Sequence, residues 1–168
     1  MSEASPTENP ATPADTRPSL AMRAQYIKDL SFENPRAPAS LFSLREAPQM
    51  DVSVSLAAQP LEDAVFEVII HLSVRAVSEK TTIFLSDLVY GGIFEARHIP
   101  PEQLEQTIYV HGAQLLFPFA RRVIADVTRD GGFPPLQLDP IDFNGMYLAQ
   151  KAKGQQPGAA PEATAPSA

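Results

Sequence analysis

The stretch "FLSDLVYGGIFEA", Phe84 to Ala96, alternates large apolar side chains with small or charged ones, then meets two glycines and a second apolar pair. A period of two is that of a β-strand. Phe84, Leu88 and Tyr90 fall on one side, while Ile83, Leu85 and Val89 fall on the other. A strand apolar on both sides is buried on both, so helices of the same chain can account for one face and the other needs a second partner. A sheet edge under a loop would answer the need, and so would a subunit interface. The Gly91 and Gly92 pair predicts a bend or bulge that swings Ile93 and Phe94 onto another surface.

Upstream, "VFEVIIHLSVRA" places Phe66, Val68, Ile70, Leu72, Val74 and Ala76 on one face, opposite Glu67, His71, Ser73 and Arg75. The short "SEKT" returns it into the Phe84 strand as an antiparallel hairpin. "MDVSVSLAAQ" and "QYIKDLSFE" alternate as well, and "NPRAPASLF" and "AQPLED" read as turns and edges. After Ile99 the period changes. "PPEQ" suits a first helical turn, and Leu104, Ile108, His111, Leu115, Phe119, Val123 and Val127 then recur at spacings of three and four. Pro118 predicts a kink or break near Leu116 or Phe117. "RDGGFPP" ends the helix, and Asp142 is the expected N-cap of a last short one. Four strands followed by helices mean an α+β fold: a four-stranded antiparallel sheet with a long kinked helix and a short C-terminal helix on one face.

The ends differ in kind. Residues 1–21 and 151–168 are rich in Pro, Ala, Ser, Thr, Glu and Gln and read as disordered tails around a folded unit at 22–150. The formal net charge of −7 lies mainly in that unit and argues against nucleic acid as partner, and for a basic protein segment. Without cysteine there is no disulfide framework and no thiolate metal site. With no basic and apolar leader pattern and no apolar run approaching membrane-spanning length, the reading is a cytoplasmic protein that does not insert into a membrane. His71, His98 and His111 are scattered among a strand, a loop and a helix, none with metal-ligand spacing, and no phosphate loop or nucleophile elbow exists, so neither catalysis, metal nor cofactor is expected.

"YIKDLSFENPRAP", "FLSDLVYGGIF" and "LLFPFARRVIADVTRDGGFPPLQLDPIDF", in this order, resemble the SecB protein-export chaperone family over about Gln25 to Tyr147. The resemblance implies a SecB-like homotetramer, a dimer of dimers. It would hold unfolded secretory precursor proteins in a translocation-competent state and deliver them to the SecA export ATPase. It also implies that Asp29 and Glu33 of "KDLSFE", with Leu85 and Asp87 of "FLSD", receive the basic, zinc-binding tail of SecA. Asp87 stands where the family carries Glu, which keeps the charge and shortens its reach. Ser86, Leu88 and Tyr90 would face the subunit contact. The client groove would be lined by Phe94, Leu116, Phe117, Phe119, Phe133, Leu136, Leu138, Phe143 and Tyr147. A homo-oligomeric adaptor that binds one folded partner through the acidic face is the alternative.

Overall fold

A computed structural model describes residues 16–42 and 47–154. The chain runs β1 (Ser19–Glu33), α1 (Ala39–Phe42), β2 (Gln49–Glu62), β3 (Val65–Ser78), β4 (Thr81–Arg97), α2 (Pro101–Gln106), a π segment (Thr107–Gly112), α3 (Ala113–Asp130) and α4 (Phe143–Ala152). All four strands are antiparallel to their neighbours, in the order β1-β4-β3-β2, so the first strand pairs with the last. β1 already begins at Ser19, inside the stretch read as a tail, and α4 extends to Ala152. The remaining tail residues, 1–15 and 155–168, lie outside the described residues. β2 continues through the "AQPLED" turn to Glu62; Pro60 is tolerated there because β2 is an edge strand.

The even-numbered side chains of β3 and β4 form the floor of the core. Val68, Ile70, Leu72, Val74, Phe84, Leu88 and Phe94 are buried among Ile108, Leu116, Ala120 and Ile124 of the helical layer. At one end Phe84 packs against Phe32 of β1 (5.4 Å between centroids) and Phe133 beyond α3 (4.8 Å), tying edge strand, central strand and loop together. Asp142 caps α4 as expected, its carboxylate accepting from the Gly145 amide at 2.9 Å.

The helix departs from α geometry upstream of the proline. α3 runs through Pro118 without the break that the proline allowed near Leu116 or Phe117. Pro118 and Gln114, whose carbonyl the proline deprives of a donor, both face outward, where water can take that carbonyl. The wider turn lies instead at Thr107–Gly112, where Ile108, Tyr109 and Val110 are buried in succession. A π segment holds more residues per turn than an α-helix, so it turns the following helix about its axis. The buried face passes to Ala113, Leu116, Ala120 and Ile124, and His111, Leu115 and Phe119 of the predicted stripe are left exposed.

Candidate functional site

Every described helix packs on one side of the sheet, and the other side carries no covering element among the described residues. That open face is built by the odd-numbered side chains of β4, from Leu85 to Glu95, which are partly exposed while the even ones are buried. In the β1–β4 register Glu33 stands opposite Leu85, Ser31 opposite Asp87 and Asp29 opposite Val89. Directly paired residues share a face, so Asp29, Glu33, Leu85 and Asp87 all project from the open side, around Val89. Among the described residues Asp29 and Glu33 form no ion pair. Asp87 faces His71 of β3 at 3.5 Å, a neighbour that the sequence pattern hides because the two are joined only through strand register.

A second polar group occupies the same face further along. Glu67 of β3 is 4% exposed, yet its carboxylate accepts from Tyr26 and from Lys28 of β1 (Nζ to Oε1 3.0 Å), and from Gln59 of β2 (2.6 Å). Burial pushes its pKa up, but these donors outweigh burial and hold the carboxyl below its ordinary range. Tyr26 is pushed the other way, to about 12, by burial and by the neighbouring carboxylate. The residues sit on three strands, and Tyr26 reaches Glu67 across β4 only because it crosses Gly91. A Cβ there would fall 2.8 Å from the Tyr26 Cζ. Gly92 does the same on the opposite face, where a Cβ would lie 2.6 Å from Leu116 Cδ2. The two glycines therefore admit close contacts above and below a continuous strand. β4 keeps an unbroken register with β3 through Gly91 and Gly92, so the predicted bulge is absent at this point, and the shifts in the pairings of β4 lie in β1 and at the β3–β4 turn.

Two sets of expected residues lie elsewhere than the sequence suggested. Ser86, Leu88 and Tyr90, read as subunit contacts, point into the helical side and are buried by this chain's own core. The parity of the strand decides this, since they alternate with the open-face residues. Of the expected client-groove residues, Phe94, Leu116, Phe117, Phe133, Leu138, Phe143 and Tyr147 are buried in the core, leaving Phe119 exposed and Leu136 partly so. A cleft of about 660 Å³ does open between α3 and the segment after it, lined by Phe117, Pro118, Arg121, Pro135, Gln137 and Pro140 among others. Its outer wall is pinned by Thr128, whose hydroxyl donates to the Ile124 carbonyl (2.9 Å) and accepts from the Leu136 amide (2.9 Å). No group of metal-ligating side chains occurs among the described residues, and no described helix is long and apolar enough to cross a membrane.

Residues 13–154 match the family described as preprotein translocase subunit SecB. The protein-export protein SecB of Sphingopyxis alaskensis is 44% identical over 146 residues, 86% of this chain and 84% of that protein. That of Maricaulis maris is 43% identical over 151 residues, covering 88% of each. That of Brucella ovis is 45% identical over 142 residues, 84% of this chain and 87% of the relative. Among solved structures, a SecB-like chaperone of Mycobacterium tuberculosis in complex with a peptide from an antitoxin superposes with a TM-score of 0.61 at 19% identity. The match covers 73% of this chain and 90% of that one, and it shows a shared fold.

Proposed function

The chain belongs to the SecB family of protein-export chaperones, not enzymes, which act with preprotein substrates, and from that premise we propose where its partners bind. The open sheet face receives a basic segment of the SecA ATPase through Asp29, Glu33, Leu85 and Asp87. The observation that carries this reading is that all four share one face, with the Asp29 and Glu33 carboxylates unpaired and Leu85 beside them. Unpaired carboxylates attract a cationic chain, and the apolar side chains between them give it something to pack on.

Preprotein clients occupy the helical side. The cleft between α3 and the following segment offers Phe117, three prolines and adaptable polar walls, which suits an extended chain better than a fixed ligand. Phe119 at 38% exposure extends this surface, while the buried members of the predicted set support it from beneath. A homotetramer, a dimer of dimers working in the cytoplasm, is the proposed assembly, and its subunit contacts are supported by apolar surface that a single chain leaves open at Leu115 on α3 and at Ile27 and Leu30 on β1.

Light scattering of the pure protein, alone and with a chemically unfolded secretory precursor, tests the reading. The expected result is a tetramer that associates with the unfolded precursor and ignores the folded one. A monomer, or binding of the folded precursor alone, would favour an adaptor working through the acidic face.

A further inference from the structure

Lys28 sits in the irregularity of β1 between Ile27 and Asp29, next in the chain to a carboxylate that has no partner. A flexible cation beside an acidic docking face would ordinarily fall back on it and cancel part of its charge. Instead the Lys28 ammonium is held 3.0 Å from Glu67 Oε1 and 3.3 Å from Oε2. Glu67 is itself anchored from both flanks by Tyr26 and Gln59. The pairing thus spans the sheet and draws the cation toward β3.

We propose that Glu67 is a positioning residue for the acidic face: by holding the Lys28 ammonium it keeps that cation off Asp29 and leaves the Asp29 carboxylate free for a basic peptide. The inference rests on the acidic-face reading given above. It assigns Glu67 no contact with the partner; its action passes through Lys28.

The test uses the full chain and a fluorescein-labelled decalysine peptide, titrated at low ionic strength. Glu67→Gln keeps one acceptor oxygen, enough for Tyr26 or for Gln59, which now donate to different oxygens of the carboxylate, and is expected to weaken peptide binding about two- to fivefold, the size of one exposed charge pair. Because the substitution also removes a negative charge, the deciding comparison is the same change made in an Asp29→Asn background, where the further loss should vanish. Adding Lys28→Met to Glu67→Gln should restore wild-type binding. Lys28→Met alone should not weaken binding, and this holds as an independent check should the Glu67 variant fail to fold. An equal loss with and without Asp29 would overturn the proposal, since Glu67 would then act through its own charge. Unchanged binding in Glu67→Gln, or weaker binding in Lys28→Met, would overturn it too. A wild-type protein that does not bind decalysine would instead remove the acidic-face reading itself, and this inference with it.

Discussion

The Tyr26 ring lies across the backbone of Gly91, close enough that a single added methyl would come within 2.8 Å of its Cζ. The contact joins β1 to the strand beside it and delivers the tyrosine hydroxyl to Glu67 on the strand beyond.

Gly91→Ala is therefore expected to destabilise the fold by about 1–3 kcal/mol, the range for an overpacked contact. Urea denaturation measures it. In a Tyr26→Ala background the same change should cost much less, because the atoms it meets are gone. Equal costs in the two backgrounds would mean that the ring is not what Gly91 accommodates.

Stability should bend at both ends of the pH range. The Glu67 carboxyl titrates lower in the fold than in the unfolded chain, so its contribution is present above its ordinary pKa of about 4.3 and is lost as pH falls through the folded value. Tyr26 is raised to about 12, so its contribution is present below its ordinary pKa of about 10 and is lost as pH rises from there toward 12. Glu67→Gln should flatten the acid limb of a stability profile and Tyr26→Phe the alkaline limb. Limbs that keep their shape in these variants would place the titrating groups elsewhere.

Asp29→Asn and Glu33→Gln should each weaken association with the basic tail of SecA about two- to fivefold at low salt, with the differences fading as salt is added. Asp87→Asn should weaken it as well, because its carboxylate projects from the same face. Isothermal titration checks all three, and association unchanged in every variant would remove the acidic face as the docking site.

Thr128→Val keeps the shape of a fully buried side chain but leaves the Leu136 amide without its acceptor. The expected cost is about 1–3 kcal/mol, with faster hydrogen exchange at Leu136 than at amides within α3. Client association should weaken if that segment forms the wall of the client cleft.

The strands were legible because alternation survives in a sheet covered on one side: the odd residues of β4 read as one face and the even as another from the sequence alone. That Asp29, Glu33, Leu85 and Asp87 share one face was legible for the same reason. Which face of β4 the helices would take was not legible, since both are apolar, and Ser86, Leu88 and Tyr90 were assigned to the wrong neighbour. The glycine pair was misread as well. Glycine marks either a bend or a close approach, and only the positions of Tyr26 and Leu116 distinguish the two. The helical stripe failed at His111, Leu115 and Phe119 and held at Ile108 and Val123, because a change in residues per turn leaves no mark in spacing until the buried face is known. The Glu67 group is long-range in sequence, and Lys28 and Glu67 become neighbours only through two strand pairings.

The pairing of β1 with β4 also orders events in time. β1 leaves the ribosome first and must wait for residues 81–97 before any strand can pair with it, whereas β2, β3 and β4 meet their neighbours through short hairpin turns as they are made. Closing so long a loop is the slow, non-local step, and until it happens Tyr26, Leu30 and Phe32 are carried on an unpaired strand. During its own synthesis this chain is thus for a while the kind of molecule its family protects.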